Sequence, residues 1–210
     1  MALRWNYKLN ALENWCCSTS FWRWMTRERL LPWLLGRADL GDHVLEIGAG
    51  PGAATDELRK RARHVVSLEY DYVFAAKLAQ RNGNGAGTVQ GDAASLPFAD
   101  RTFSAALAVL VLHHLRSSEL QDRALAEVHR VLQPGGRLFA FEIPDGWINR
   151  IIHINSTFVP VQPNALAARL TSAGFIDIAL ECRPGGFSFR AARKSEVIRG
   201  VGLLLSGRCE

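Results

Sequence analysis

Three acidic residues occupy similar places along the chain, each within or directly after a short apolar run. Glu46 lies within Val44–Ile47, Glu69 ends the next such run, and Asp92 follows the third. Glu69 is suited to accept two hydrogen bonds from the hydroxyls of a ribose, and Asp92 to accept one from an adenine amine. Hydrogen bonds to charged groups of this kind contribute roughly 1.5–3 kcal/mol each. The three carboxylates therefore predict a binding site for a ligand that contains a nucleoside.

A glycine-rich segment, residues 48–52, follows the first of these apolar runs and precedes a helical pattern that starts near Ala53. Glycine has no Cβ, so such a segment can turn tightly and bring its backbone close to a ligand. The N–H groups at the start of the next helix favour polar or anionic ligand groups. The spacing of the segment, with Glu69 beyond it, also fits the relaxed dinucleotide fingerprint. An NAD-binding oxidoreductase is therefore one interpretation.

Glu46 distinguishes between the possible ligands because it stands inside the strand, two residues before the first glycine of the glycine-rich segment. A carboxylate at this point would repel a diphosphate, but it can accept a hydrogen bond from a cationic amine. This favours a cofactor with an amino-acid end, such as S-adenosylmethionine (SAM), over a dinucleotide. The other explanation is that Glu46 only accepts hydrogen bonds from the N–H groups of the loop itself.

A repeated alternation of strands and helices positions the three acids. Strands are predicted at residues 43–47, 64–69, 87–90, 103–110 and 137–142, with helices between most of them. Strands that alternate with helices at this spacing predict a parallel sheet with right-handed crossovers. In open α/β sheets ligands bind at the carboxyl ends of the strands. The three acids and the glycine-rich segment should therefore converge at one edge of the sheet.

The first 41 residues are rich in aromatic side chains and contain five of the six tryptophans. A helix is predicted from about Ser18 to Leu35, interrupted or restarted near Pro32. Aromatic residues on such a helix can serve packing alone. Alternatively Tyr7, Trp15 and Trp22 form a lid over a small apolar or planar substrate.

Residues 40–143 resemble the class I SAM-dependent methyltransferases and, more narrowly, the small-molecule type 11 family. The segments that carry the resemblance are Val44–Gly52, Glu69, Gly91–Ala93 with Leu96–Phe98, Leu110–Leu115, Glu127-x-x-Arg130, and Pro134–Gly136. The chain departs from the family at Ser104, where the family often has Asp at the entrance to the fourth strand.

The resemblance implies a Rossmann-like, doubly wound, seven-stranded and mostly parallel α/β sheet with an antiparallel last strand. It also implies a division of the chain into an N-terminal helical lid segment (1–41), a SAM-binding methyltransferase domain (42–194) and a C-terminal tail (195–210). Within the domain, residues 144–163 form an insertion on the acceptor side.

The same resemblance implies which residues contact the cofactor and the acceptor. The cofactor contacts are Glu46, Gly48, Ala49, Gly50, Gly52, Glu69, Tyr70, Asp92, Ala93, Val109 and Leu110. His113 and His114 lie where the fourth strand of the family meets the acceptor pocket, and an imidazole titrates near neutral pH. Packing and capping are the alternative roles for this pair, and Glu142 and His153 are further candidates for catalysis. The sequence contains no pattern of metal ligands, so no metal is predicted.

The charge distribution and the absence of two motifs limit the class of acceptor molecule. The net charge of +5 and the pI near 9.3 would permit nucleic acid binding, but the basic residues are dispersed apart from Arg59–Arg63. The chain lacks both the Pro-Cys nucleophile of cytosine-C5 methyltransferases and the Asn/Asp-Pro-Pro-Tyr segment of amino-methylating DNA enzymes. We therefore predict methyl transfer to oxygen or nitrogen of a small, partly apolar or aromatic molecule. The alternative is an RNA- or protein-modifying methyltransferase.

The four cysteines show no paired spacing, which favours reduced thiols. The chain begins without a secretory pattern, and no apolar run approaches the roughly 20 residues that a membrane span needs. These features predict a cytoplasmic protein with no membrane span. They leave the oligomeric state open.

Overall fold

A computed structural model describes residues 10–83 and 87–195. Its centre is a seven-stranded sheet with the strand order β3-β2-β1-β4-β5-β7-β6. In chain order the strands are β1 (His43–Ile47), β2 (His64–Glu69), β3 (Thr88–Gln90), β4 (Phe103–Val109), β5 (Leu132–Glu142), β6 (Phe175–Arg183) and β7 (Gly186–Arg193). The predicted α/β fold is confirmed.

The strands β1 to β5 are parallel to one another, and β7 is antiparallel to both of the strands it pairs with. β1 lies between β2 and β4, so that Glu46 is aligned with Ser67 on one side and Leu107 on the other. β7 is inserted antiparallel between β5 and β6. The apolar sequences of β1 and β4 reflect their central position, where both faces of the sheet are covered.

Helices cover both faces of the sheet. They are α1 (Ala11–Ser18), α2 (Ser20–Met25), α3 (Leu31–Leu35), α4 (Thr55–Leu58), α5 (Tyr72–Arg81), α6 (Ser118–Val131), α7 (Trp147–Ile152) and α8 (Pro163–Ser172). On one face, Leu125 and Val128 of α6 share a core with Phe103 of the sheet. On the other, Leu31 and Leu34 of α3 belong to a second core. The sheet is therefore doubly wound, as predicted.

Several helices begin where the sequence places a capping residue. The Asp71 side chain accepts hydrogen bonds from the N–H groups of Val73 and Phe74, and Ser117 accepts one from Leu120. Such caps satisfy N–H groups that have no partner within the helix. The caps fix the starts of α5 and α6 close to the carboxyl ends of β2 and β4.

The Glu127-x-x-Arg130 motif fastens α6 to the loop that follows Asp92. Arg130 donates hydrogen bonds to the carbonyl groups of Leu96 and Phe98, at 3.0 and 2.8 Å, and pairs with Glu127. The Glu127 carboxylate in turn accepts the N–H of Leu96 at 2.8 Å. The motif therefore shapes the loop at the carboxyl end of β3 without itself entering the site.

Two parts of the fold differ from the sequence prediction. The helix predicted from Ser18 to Leu35, interrupted or restarted near Pro32, is instead α1, α2, a π-helical turn (Thr26–Leu30) and α3, so the helical region starts at Ala11. The restart near Pro32 is confirmed, since α3 begins at Leu31. The start of α1 is fixed by Asn10, which accepts a hydrogen bond from the N–H of Glu13. β5 begins at Leu132 rather than at Arg137, because Leu132 already pairs with Phe103 of β4.

Some predictions fall on residues 1–9, 84–86 or 196–210, which lie outside the described residues. They include a lid contact by Tyr7 and most of the C-terminal tail. Among the helices that are described, none has the length and apolarity required to cross a membrane.

Candidate active site

A cavity of about 470 Å³ opens at the carboxyl ends of β1 to β4. Its size falls within the range of roughly 300–1,000 Å³ that is usual for sites that bind small molecules. Most of the predicted cofactor and catalytic residues line it: Glu46, Gly48, Ala49, Gly50, Glu69, Tyr70, Asp92, Ala93, Val109, Leu110, His113 and His114. The further candidate His153 also lines it, whereas Gly52 and Glu142 do not.

The glycine-rich segment 48–52, here called the glycine loop, is hydrogen-bonded to β2 and presents its backbone to the cavity. The N–H groups of Gly48 and Ala49 donate to the carbonyl of Leu68 at 2.8 and 3.2 Å. The N–H of Gly50 donates to Oε2 of Glu69 at 2.7 Å. Gly50 has a φ of +52°, and a Cβ at this position would meet no atom of residues 10–83 or 87–195 within 4 Å. Gly50 therefore faces open space that a ligand can occupy.

Gly52 has a different role from the one predicted. Its φ is +81°, and a Cβ there would lie 2.3 Å from Nη2 of Arg81 and 2.7 Å from Cδ1 of Leu78. Gly52 is buried against α5 and does not line the cavity. The glycine is required for close packing between the loop and α5, so its prediction as a cofactor contact is wrong.

Glu46 is buried beneath the loop at the cavity wall. Its Oε2 accepts hydrogen bonds from the hydroxyl groups of Thr55, at 2.6 Å, and Ser67, at 2.7 Å. Burial raises the pKa of this carboxyl from 4.5 to about 7, although both hydroxyls act in the opposite direction. Its partners among the described residues are therefore hydroxyls of α4 and β2, and not the N–H groups of the loop. A protonation equilibrium near pH 7 makes the charge of Glu46 sensitive to what binds beside it.

Glu69 and Asp92 form the adjoining part of the wall. Glu69 also accepts the N–H of Asp71, at 2.8 Å, and burial raises the pKa of its carboxyl. Asp92 accepts the N–H of Ala94 through Oδ1 at 2.8 Å, which shapes the turn after β3. The convergence of the two acids with Glu46 follows from the parallel pairing of β1, β2 and β3.

His113 and His114 reach the cavity through a sharp turn at the end of β4. Leu110 has a φ of +59°, an uncommon conformation for a residue with a side chain, and a 3₁₀ turn at Leu112–His114 follows it. Glu142, fully buried at the end of β5, fixes this turn through the N–H groups of Val111 and Leu112. Its other oxygen lies 2.5 Å from Nδ1 of His113.

A third histidine joins this pair from the end of α7. The ring centroid of His153 lies 5.1 Å from that of His113 and 5.4 Å from that of His114. One ring nitrogen from each of the three residues lies within 4.8 Å of the others. This arrangement corrects the sequence prediction, which found no set of metal ligands. The sequence could not reveal it because His153 is distant along the chain from the other two.

The N-terminal helices form one wall of the cavity, to which Glu13, Cys17, Trp22 and Thr26 contribute. Trp22 lines the cavity as predicted. Trp15 does not, since it is 67% exposed, and its predicted place in the lid is wrong. Glu13 was not predicted: its place three residues after Asn10 indicates only a helix cap.

The hydroxyl group of Thr26 is buried in the cavity wall without a hydrogen-bond partner in the described part of the chain. Thr26 opens the π-helical turn, a rare conformation that is frequent at functional sites. A buried hydroxyl without a partner carries a free-energy cost of roughly 1–3 kcal/mol. A polar ligand group that contacts Thr26 would remove this cost.

Among the residues that the structure describes, carboxyl groups dominate the charge of the cavity wall. The acidic residues in it are Glu13, Glu46, Glu69, Asp71 and Asp92, and the arginines are Arg116 and Arg123. The imidazole of His114 adds little positive charge, because burial and the adjacent histidines hold its pKa well below its ordinary value. This distribution suits a cationic ligand and opposes a diphosphate.

The methyltransferase domain family matches residues 45–140 of the chain. The match confirms the resemblance identified from the motifs, and it spans the glycine loop, the three acids and the paired histidines.

Two demethylmenaquinone methyltransferases are among the curated relatives of this domain. That of Thermobifida fusca is 38% identical over 127 residues, which are 59% of this chain and 47% of the relative. That of Corynebacterium kroppenstedtii is 36% identical over 123 residues, with coverage of 59% and 48%. The chain therefore spans about half the length of the curated relatives it matches.

Solved structures share the fold of the chain at low sequence identity. The PH0226 protein of Pyrococcus horikoshii superposes with a TM-score of 0.70 at 17% identity, covering 84% of this chain and 93% of that one. The [4+2]-cyclase SpnF has a TM-score of 0.62 at 24% identity, with coverage of 80% and 81%. Because one of these proteins is named a cyclase, the fold alone does not determine the reaction.

Proposed function

We propose that this protein transfers a methyl group from SAM to an oxygen or nitrogen atom of a small, partly apolar or aromatic acceptor. The observation that carries the proposal is the acidic wall around the glycine loop. A cofactor with a sulfonium and an ammonium group is attracted by Glu46, Glu69 and Asp92, whereas a dinucleotide would bring its diphosphate against them.

Each acid has a distinct part in this proposal. Glu46 accepts a hydrogen bond from the ammonium group of the cofactor, for which its ionised form is needed. Glu69 binds the ribose hydroxyls, and Asp92 binds the exocyclic amine of adenine. The backbone at Gly50 lies against the amino-acid portion, where its lack of a side chain leaves room. Thr26 supplies one further polar contact from the N-terminal helices.

Methyl transfer from a sulfonium is an in-line displacement, so catalysis consists largely of holding the acceptor atom close to the methyl group and excluding water. In this proposal the walls of the cavity hold the acceptor, and the N-terminal segment acts as a lid that excludes water. The histidine cluster handles the proton that the acceptor loses. Glu142 is a positioning residue in this scheme, because it fixes the orientation of His113 and the turn that carries it.

Apolar side chains line the cavity beside these residues, among them Leu115 next to His114, Ile152 next to His153 and Ile143 next to Glu142. They favour an acceptor with an apolar or aromatic body. Since the relatives are named demethylmenaquinone methyltransferases, quinone-like compounds are the first acceptors to screen. The basic run Arg59–Arg63 is not part of the cavity wall, so its charge gives no support to a nucleic acid acceptor at this site.

Calorimetric titration with S-adenosylhomocysteine, and with NAD in parallel, tests the cofactor. We expect the first ligand to bind and the second not to bind. The Glu69→Gln variant should bind S-adenosylhomocysteine roughly 10- to 150-fold more weakly, which corresponds to the loss of about 1.5–3 kcal/mol. Glu181→Gln, in β6 and away from the cavity, is the matched control and should bind normally. Binding of NAD alone would refute the proposal.

A further inference from the structure

We propose that His113, His114 and His153 bind a zinc ion at the acceptor end of the cavity, with the Glu13 carboxylate beside it. The binding of zinc stands on the geometry of these side chains alone. Its role in catalysis rests on the methyl transfer proposed above.

The hydrogen bonds around the cluster resemble those that orient metal-binding histidines. Nδ1 of His113 lies 2.5 Å from the Glu142 carboxylate, and Nδ1 of His153 lies 2.6 Å from the carbonyl of Asn149. Nδ1 of His114 is 3.3 Å from the carbonyl of Thr157. A ring that donates its Nδ1 proton to an oxygen carries its lone pair on Nε2. Histidines that bind zinc through one ring nitrogen usually donate a hydrogen bond from the other nitrogen in this way.

The contact between His153 and Glu13 requires a shared cation. Nε2 of His153 lies 3.2 Å from Oε1 of Glu13, and both groups are buried. If His153 donates from Nδ1 to Asn149, the lone pair of Nε2 points at the carboxylate, and two acceptors at this distance repel each other. A positive charge between them, carried by a proton or a metal ion, resolves the conflict.

The neighbouring imidazoles favour the metal ion over the proton. The rings of His113 and His114 have centroids only 4.1 Å apart, and these lie 5.1 and 5.4 Å from the centroid of His153. A proton can bind only one of the rings, and the resulting positive charge disfavours protonation of the other two. One metal ion, by contrast, can be coordinated by a nitrogen from each of the three rings. Tetrahedral zinc, with Zn–N bonds of about 2.0–2.1 Å, sets ligand nitrogens about 3.4 Å apart. A small rotation of the rings brings the nitrogens from within 4.8 Å to this spacing.

Three histidines are a typical ligand set for catalytic zinc, which keeps a further position for water or substrate. At this site the further position would take the acceptor hydroxyl. Bound to zinc, the hydroxyl loses its proton to solvent, and the resulting oxyanion attacks the methyl carbon. The new C–O bond forms as the bond between carbon and sulfur breaks, with the electron pair leaving on S-adenosylhomocysteine. The metal thus performs the deprotonation assigned to the histidine cluster.

Zinc binding is tested directly with the full chain after treatment with a chelator. Calorimetric titration with Zn²⁺ should give one tight site per chain, and Co²⁺ in its place should give the visible absorption of a tetrahedral complex. The His153→Asn variant should lose this spectrum. Its zinc affinity should fall by more than the roughly 10- to 100-fold caused by loss of an outer hydrogen-bond partner. His114→Asn, at the half-buried ring, provides a second variant should His153→Asn fail to fold.

The matched control is His64→Asn, because the exposed His64 pairs with His43 on β1 and could itself bind zinc weakly. This variant should keep the tight site and the spectrum. A wild-type affinity no higher than that of the folded cluster variants, or loss of the site in His64→Asn, would overturn the proposal. Titration with S-adenosylhomocysteine on the metal-free protein separates the two proposals, since cofactor binding requires no zinc.

Discussion

Glu46 should make the affinity for S-adenosylhomocysteine depend on pH near neutrality. Burial raises the pKa of its carboxyl to about 7 in the absence of ligand. The proposed ammonium contact requires the ionised form, so binding must displace the proton. A ligand that binds one protonation state gains affinity in proportion to the population of that state.

The magnitude follows from the pKa of about 7, which makes the carboxylate population about 0.09 at pH 6 and about 0.91 at pH 8. The dissociation constant should therefore fall about tenfold between these two values, a change of about 1.4 kcal/mol in binding free energy. The nearby charges of Arg81 and Asp56 affect the pKa in opposite directions and do not remove this dependence.

Calorimetric titrations at half-unit intervals from pH 6 to pH 8 would measure the effect. They should be made in buffers of different ionisation enthalpy, so that the proton released on binding is counted. The Glu46→Gln variant is the control, since its amide can still accept the hydrogen bonds of Thr55 and Ser67. It should bind more weakly with a nearly flat profile, and whatever slope remains belongs to other groups. Equal slopes in both proteins would refute the assignment of the ammonium contact to Glu46.

The raised pKa of Glu46 should also make the free energy of unfolding depend on pH. Between pH 4.5 and about pH 7 the unfolded chain loses the proton of Glu46 before the folded protein does. The free energy of unfolding of the wild type should therefore decrease over this range relative to Glu46→Gln and level off above it. The upper limit of this difference in the free energy of unfolding is about 3 kcal/mol, because a pKa difference of one between the folded and unfolded states corresponds to about 1.36 kcal/mol.

Three further predictions concern the cavity wall. Thr26→Val should leave stability unchanged or higher in chemical denaturation, because it removes a buried hydroxyl without a partner, yet it should weaken S-adenosylhomocysteine binding. Gly50→Ala should lose about 1–2 kcal/mol of stability from its positive φ alone, whereas Gly48→Ala should lose more, since its Cβ would lie 2.6 Å from a methyl group of Val111. Cys17, whose thiol pKa burial raises to about 11, should react with a maleimide more slowly than the exposed Cys182 in peptide mapping at pH 7.5.

The sheet and the cofactor side of the site could be predicted because their signals are local. Glu69 ends β2, Asp92 follows β3, and the parallel order brings strand ends together whatever the details of packing. Gly52 shows where this logic failed. A glycine in such a loop indicates either approach to a ligand or close packing, and only the position of α5 decides between them.

The sequence indicated the histidines of the acceptor side, but not how the N-terminal helices contact that side, because these contacts join distant parts of the chain. Asn10 donates to the carbonyl groups of Ile152 and Ile154, and Ser156 donates to Glu13. Nothing in the sequence near Asn10 indicates that α1 lies against the end of α7. The exposed Trp15 illustrates the same limit, since aromatic content alone does not reveal which face of a helix meets the cavity.

This division of the cavity has a consequence for specificity. Apart from Thr26, the proposed cofactor contacts lie on β1 to β4 and their loops, within the residues of the family match, whereas Glu13 and His153 lie outside residues 45–140. We therefore expect changes in α1 or α7 to alter the acceptor end while the strand ends that carry the proposed cofactor contacts stay in place. The hydrogen bonds between the two segments also make them interdependent: loss of Asn10 would release both the cap of α1 and its contact with α7. Selection for a new acceptor would then act on these two segments together, and the glycine loop could remain as it is.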